Sequence, residues 1–304
     1  MFRPIQLIPS NTNIDFVAKR YFAFAVTLLL VMITLGALMT KGLNLGIDFK
    51  GGILIEAKAP QAVDVSALRD QLHDLNLGQV ELQQFGSPTD ILIRIQRQEG
   101  DENAQMAAVQ SVRDKLGSTY EYRRVEVVGP TVGKELLHSG ILATIFAMLA
   151  IAVYVGVRFE WQFGLAALIS TFHDVLTTVG LFAVLQLDFN LTSVAALLTL
   201  AGYSINDTVV VFDRIRETLR RQKAPSLRAV INDAVNQTLS RTIMTGGTTL
   251  LALFPLVIMG GQTLINFSAA LTWGILVGTY SSIYVASALL LYMPPLRRIE
   301  KVPA

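Results

Sequence analysis

Residues 21–40 read YFAFAVTLLLVMITLGALMT, from Tyr21 to Thr40, with no charged side chain among them. A helix that crosses a bilayer core needs about 20 mostly apolar residues. Inside lipid its backbone N–H and C=O groups must also be paired within the segment. This stretch therefore predicts a spanning helix, and with it a membrane protein. It is too long for the core of a cleaved signal peptide, and no convincing small-residue cleavage site follows it, so it is expected to stay as an anchor.

Working outward, five more stretches meet the same test: about Ile141–Val157, Phe163–Leu185, Leu191–Phe212, Thr242–Gly260 and Leu264–Tyr292. The third span of the six carries His173 and Asp174, and the fourth carries Asp207. Their unbroken apolar flanks favour spans over buried globular helices. The bulk composition agrees. The chain is 52% apolar and only 16% charged, against about a quarter charged in an ordinary soluble protein. That rules out a disordered chain and argues against a soluble enzyme. With no cysteine, disulfides, cysteine nucleophiles, zinc-thiolate sites and iron–sulfur clusters are excluded. Three histidines (His73, His138, His173) make a histidine-rich metal site improbable. A net charge of +2 is too small to argue for nucleic acid.

Orientation follows from lysine and arginine in the short connections. Arg3, Lys19 and Arg20 precede the first span, and Arg158 lies between the second and third. Arg214, Arg216, Arg220, Arg221, Lys223, Arg228 and Arg241 lie between the fourth and fifth, and Arg297, Arg298 and Lys301 follow the sixth. The other two short connections have none. Both ends, 1–20 and 294–304, are therefore expected in the cytoplasm.

Residues 41–138 break the hydropathy. They hold eleven basic and fourteen acidic residues, a balance of −3 against +5 for the remainder. Following the first span, they are expected outside the cytoplasm, and at roughly 100 residues they can bury a core of their own. Ile53–Lys58 reads as a strand. Val65, Leu68, Leu72 and Leu75 recur at helical spacing after a possible cap at Asp64 or Ser66. Val80–Phe85 and Ile91–Gln96 read as strands joined by a turn over 86–90. Alternation of Ile91, Ile93 and Ile95 with Leu92, Arg94 and Gln96 marks a sheet with one wet face. Asp101 is placed to cap a helix carrying Val109, Val112 and Leu116, and Tyr120–Val128 closes the series. Strand-helix-strand-strand-helix-strand is the ferredoxin-like order. The predicted fold is thus an α-helical membrane protein of six spans with an inserted α+β ferredoxin-like domain: span 21–40, domain 41–138, then spans over 139–293.

Asp207 carries the most weight. A carboxylate inside a span costs several kcal/mol unless it is neutral or paired, and such residues are rarely idle. Burial and a nearby cation pull its proton affinity in opposite directions, so it could bind and release a proton. The alternative is a structural, hydrogen-bonded Asp. Arg241, at the opening of the antiparallel fifth span, is its natural partner, with Asp207 roughly 9 Å inside at 1.5 Å per residue. The competing reading is an arginine that snorkels to lipid phosphates. His173 and Asp174 lie mid-span, about 100° apart on the helix, and are not expected to face each other. They read either as a second proton station or as a helix-locking pair. Asp213-Arg214-Ile215-Arg216-Glu217 reads as a solvated helix end. The segment 213–240 includes an amphipathic stretch (Val230, Ile231, Ala234, Val235, Leu239), set off by Pro225 and expected to lie on the inner leaflet. Gly274, Gly278 and Ser282 form a small-residue packing face. Gly246-Gly247 and Pro255 would let the fifth span bend or be approached closely. Gly46-Ile47-Asp48-Phe49-Lys50-Gly51-Gly52 lacks phosphate-loop spacing and reads as a turn into the first strand.

These pieces resemble the SecF family, the smaller membrane subunits of bacterial SecDF protein-export complexes within the RND-type transporter superfamily. The matching stretches are Gly46–Gly52, Val128-Gly129-Pro130-Thr131-Val132-Gly133, Phe172-His173-Asp174, the run Gly202–Glu217 and Ser281–Ser287. They span nearly the whole chain in order, with no departure from the family pattern. The resemblance implies an inner-membrane half-transporter that pairs with SecD and associates with SecYEG and YajC. It implies use of the proton-motive force, or sodium in some members, to help move a translocating preprotein, without a cofactor and without enzymatic activity. It also puts the coupling carboxylate on Asp207 and the coupling arginine on Arg241; His173 and Asp174 match a motif without a definite role. Contacts with membrane lipids are expected throughout, and with nucleic acid not at all. Two other readings are weighed. Half of an exporter of small molecules or lipids is disfavoured by the slight domain at 41–138. An intramembrane protease built on Asp174 and Asp207 lacks the flanking motifs.

Overall fold

The computed structural model describes residues 12–78, 80–221, 226–259 and 261–294. The terminal segments 1–11 and 295–304, and Pro225, lie outside them. In chain order the elements are α1 (Arg20–Thr40), α2 (Ile47–Lys50), β1 (Gly52–Lys58), α3 (Val65–His73), β2 (Val80–Phe85), β3 (Ser87–Ile95), α4 (Glu102–Leu116), β4 (Glu121–Val128), α5 (Pro130–Arg158), α6 (Trp161–Leu185), α7 (Leu191–Arg221), α8 (Leu227–Met259) and α9 (Gly261–Ser281). The last helix continues through a π turn, Ser282–Ala286, to Tyr292. Six helices among the described residues are long and apolar enough to cross a membrane, as expected.

The six divide into an inner and an outer set. Half or more of the most apolar stretch of α6, α7 and the α9 extension is buried inside the protein, against 6% of that of α5. Small residues permit this closeness. A Cβ on Gly274 of α9 would sit 2.5 Å from the Leu200 methyls of α7, so the small-residue face read from sequence packs within the chain. α1, α5 and α8 present Leu28, Leu29, Met32, Phe146, Val153, Leu251 and Phe254 outward. Such an outer belt suits lipid or a partner bundle.

Between α1 and α5 the strands form one sheet in the order β2-β3-β1-β4, every neighbouring pair antiparallel. The register sets Ile53 opposite Ile95, Ile55 opposite Ile93 and Ala57 opposite Ile91. Since side chains alternate along a strand, these fall on one face, where they pack with Leu68, Leu72, Val109 and Val112. The caps are Asp64, accepting from the backbone of Ser66 and Ala67, and Asp101, accepting from that of Asn103 and Ala104. The other face, with Leu54, Leu92 and Arg94, looks onto the α6–α7 connection.

Four local expectations change. The hairpin over 86–90 tightens to Gly86, at φ +68°, and Ser87–Asp90 join β3, because β1 continues pairing through Lys58 and Asp90. Helix α5 begins at Pro130, upstream of the boundary at 138; Lys134, Glu135 and His138 lower the hydropathy of its first turns without breaking the helix. The run from Asp213 to Arg221 continues α7 instead of ending it, with Ile215 fully buried. The amphipathic stretch at Leu227 is the first half of α8, and its apolar face is covered by protein: Val230, Ile231, Ala234 and Val235 pack on Phe16, Val17, Phe212 and Ile215. A 3.6-residue period fixes an apolar face but not whether lipid or a helix covers it. Here the chain's own N-terminal segment does, held by Asn232 and Asn236, whose Oδ1 atoms accept from the backbone N–H of Val17 and Ile14 at 3.0 and 2.9 Å.

The Gly46–Gly52 stretch does more than turn. The backbone N–H of Gly46 donates to the Phe189 carbonyl and that of Phe189 to the Asn44 carbonyl, both at 2.8 Å. Asp48 Oδ2 accepts from the N–H of Leu191 at 2.8 Å, filling an unsatisfied donor at the start of α7. A Cβ on Gly133 would meet the Phe49 carbonyl at 2.8 Å. The stretch thus fastens the sheet domain to the helical bundle.

Candidate functional site: a buried polar seam between three helices

Three inner helices bring their polar residues together in the middle of the bundle. Asp174 on α6 has no exposed surface, and Ser204 on α7 and Ser281 on α9 are equally buried. Both hydroxyls donate to Asp174 Oδ2, at 2.5 and 2.7 Å. The other carboxylate oxygen lies 3.0 Å from His173 Nδ1. So the neighbours His173 and Asp174 do meet, contrary to the expectation from their 100° separation. That angle describes where the side chains leave the backbone, and an imidazole and a carboxylate are long enough to close it. The outer ring nitrogen of His173, Nε2, is buried without a partner.

Asp207 sits on α7 facing α8 and is 7% exposed. Its Oδ1 accepts from the Thr242 hydroxyl at 2.7 Å, while Oδ2 is buried with no hydrogen-bond partner. The next residue, Thr208, pairs its hydroxyl with that of Ser282 at 3.0 Å. The two carboxylates are thus unlike: Asp174 is held from three sides, whereas Asp207 keeps one oxygen free. An ionised carboxylate can accept about four hydrogen bonds, and leaving it short in an apolar bundle is costly. The open oxygen is where a proton would be held.

Arg241 is not on this carboxylate. It is exposed and lines a cavity of about 560 Å³ with Tyr154, Arg158, Asn206, Asp213 and Thr238. No ion pair within 4 Å joins it to Asp207 among the described residues. The contact falls to the next residue, Thr242, because successive residues leave a helix about 100° apart and only one can aim at α7. Of the four residues picked from sequence, His173 and Asp174 form one cluster and Asp207 a second close by, with Arg241 at the edge of the latter. Sequence reading missed Ser204, Thr208, Thr242 and Ser281, and took Ser282 only as part of a packing face. The available signal was a pair of adjacent serines in an apolar span and a Ser/Thr pair four apart beside Asp207.

A second polar junction lies where the sheet meets the bundle. Arg94 on β3 forms an ion pair with Asp188, in the α6–α7 connection. Asn44 Nδ2 donates to Asp188 Oδ1 at 2.9 Å and Asn266 Nδ2 to its backbone carbonyl at 3.1 Å.

Six spanning helices, buried carboxylates among the inner ones and a ferredoxin-like insert define a multi-pass membrane protein of the transporter kind. Residues 108–295 match the family model of the protein export membrane protein SecD/SecF, C-terminal, and residues 36–63 match the SecD/SecF GG motif. The chain is 46% identical to a protein translocase subunit SecF from Magnetococcus marinus, over 96% of this chain and 95% of that one. It is 43% identical to one from Rhodobacter capsulatus, over 98% and 94%. The crystal structure of SecDF from Thermus thermophilus superposes with a TM-score of 0.83 at 35% identity, covering 95% of this chain and 39% of that chain. A SecDF structure in a super-membrane-facing form gives 0.69 at 34% identity, covering 96% and 40%. The chain therefore spans nearly the whole of its curated relatives and about two-fifths of the solved SecDF chains. It belongs to the SecF family of protein-export membrane subunits.

Proposed function

We propose that this protein is the SecF half of an ion-driven accessory to protein export, paired with SecD and acting beside SecYEG and YajC on a translocating preprotein. The observation that carries the reading is Asp207 Oδ2, a carboxylate oxygen buried in a spanning bundle without a donor. In this reading a proton taken up there neutralises Asp207. Its loss leaves a buried charge that draws Arg241 from the adjoining cavity. Alternation between the two moves α7 against α8, and through the contacts at Gly46, Phe189 and Leu191 the movement reaches the sheet domain. Asp174 and His173 serve as a second station. The placement of lysine and arginine supports an inner-membrane orientation with both termini and the α7–α8 connection in the cytoplasm and the sheet domain outside. An ion gradient is the energy source, with no cofactor and no chemical turnover.

The test is export into inverted vesicles carrying the SecD–SecF pair, under an imposed pH gradient or sodium gradient. Asp207→Asn is expected to assemble with its partner and lose gradient-dependent stimulation, because Asn cannot titrate. Normal stimulation by that variant would overturn the assignment. Co-purification with an outer-membrane channel or a periplasmic adaptor in place of SecYEG would favour an exporter of small molecules or lipids.

A further inference from the structure

The last spanning helix departs from α geometry at one place, the π turn Ser282–Ala286. A π turn accommodates one extra residue, is rare, and occurs often at functional sites. Here it begins where two consecutive serines take different partners. Ser281 donates to Asp174, while Ser282 pairs with Thr208, the neighbour of Asp207 on α7. The Ser282 hydroxyl is also within 2.9 Å of the Gly278 carbonyl, one turn back on the same helix. Ser204 and Thr208 lie one helical turn apart on α7: Ser204 donates to the same Asp174 oxygen as Ser281, and Thr208 pairs with Ser282. Gly278, one turn before Ser282, lets α9 approach: a Cβ there would lie 3.4 Å from Ser204 and 3.7 Å from Asp174 Oδ2. Asp174, Ser204, Thr208, Thr242, Ser281 and Ser282 are each no more than 1% exposed.

We infer that Ser281 and Ser282 are positioning residues that tie Asp174 and Asp207 into one coupled unit, with the π turn as the movable joint. Two adjacent residues of one turn cannot shift independently. If Asp207 changes state and displaces the Thr208–Ser282 pair, Ser281 moves with it and its hydrogen bond to Asp174 is altered. Relaxing the π turn to α would rotate one side of the helix against the other by about 100°, so both contacts cannot survive that change. The titratable or charged groups facing the seam are His173 and Asp174 on α6, Tyr203 and Asp207 on α7, and Arg241 on α8. Coupled groups titrate as a unit, with apparent midpoints that belong to the set.

This inference rests on the proposed role of Asp207, and its test reads a different quantity. A hydrophobic carbodiimide modifies protonated buried carboxyls. Its rate at Asp207, located by mass spectrometry of the intact SecD–SecF pair, can be followed against pH. Asp174→Asn is expected to move the labelling midpoint of Asp207 by about one pH unit. That shift should disappear when Ser281→Ala and Ser282→Ala are both present, and return with Ser281→Thr and Ser282→Thr, which keep the hydroxyls. A midpoint indifferent to Asp174, or a shift that persists without the serine hydroxyls, overturns the inference. Should the alanine pair fail to assemble, Ser281→Cys and Ser282→Cys, close in size with a weaker donor, carry the same comparison. Export by Asp207→Asn is measured in parallel. Lost stimulation there with no coupling refutes only the serine bridge, whereas normal stimulation refutes the role of Asp207.

Discussion

At the scale of the residue, Asp174 and Asp207 share a bundle but not a task, and the difference is in their donors. Asp174 has a hydroxyl or an imidazole nitrogen at every oxygen, while Asp207 has an empty Oδ2. Removing Asp174 would leave Ser204, Ser281 and His173 with unmatched polar atoms in a dry interior. Asp174→Ala is therefore expected to cost about 3 kcal/mol, the scale for stranding buried partners. Asp207→Asn should stay within about 1 kcal/mol of the parent, because the amide is cheaper to bury than a carboxylate. Thermal unfolding of the two variants in detergent checks this; equal losses would mean that Asp207 is structural too. The sequence made Asp207 visible because a lone carboxylate in an apolar run is expensive. It could not show which side chain on α8 meets it, since choosing Thr242 over Arg241 depends on helix rotation. Nor could the helical angle reveal that His173 and Asp174 touch.

At the scale of the element, periodicity located most of the pieces and left their partners open. The ferredoxin-like order was legible because each strand alternates and each helix carries its own cap, all within one stretch of chain. The first half of α8 shows the limit: its apolar face was evident, and its covering by residues 14–17 was not. The sheet domain should fold alone, since its core closes within residues 53–127. A fragment of residues 43–128 is expected to unfold cooperatively on heating, and Leu72→Ala, at a side chain with no exposed surface, to cost about 2–5 kcal/mol. The caps set its acid response. Asp64 is held below the usual carboxylate range first by the Ser66 hydroxyl and then by the Ala67 N–H. Asp101 is held there first by the Asn103 side chain and then by the Ala104 N–H. A lowered folded-state value means stabilisation that is present above the unfolded value and lost as pH falls through the folded one. The fragment should therefore lose stability towards strong acid, and Asp64→Ala with Asp101→Ala should flatten that loss. A parent and a double variant with the same pH profile would exclude the caps.

At the scale of the whole molecule, the question is how events in the bundle reach the sheet. Arg94 was legible only as a wet-face residue of a strand, and no stretch that stood out in the sequence contains Asp188. Their meeting depends on how two separately folded parts dock, so it has no local signature. The GG-motif segment was visible, but as a turn, because its second role requires Phe189 and Leu191 from a distant loop. Burial at this junction pushes the Asp188 carboxyl above its ordinary value, with the Arg94 guanidinium opposing that rise. Because burial is the larger influence, the docked arrangement binds a proton on Asp188 more readily than an undocked one, where Asp188 meets water. By linkage, the docked state gains from protonation below the undocked value, and the gain is lost as pH rises through the raised, docked value. Acid on the sheet side is thus expected to favour docking and alkali release. In the proposed orientation that side is the proton-rich one, so a collapse of the gradient would loosen the domain where the preprotein emerges. Spin labels on the exposed face of α4 and at the end of α6 would report the separation as pH is varied in the SecD–SecF pair. Asp188→Asn, which cannot titrate, should hold one distance distribution across the range while Gly46 and Phe189 keep their backbone bonds. If the variant follows pH as the parent does, the response resides in another group and the Arg94–Asp188 junction is a passive clamp.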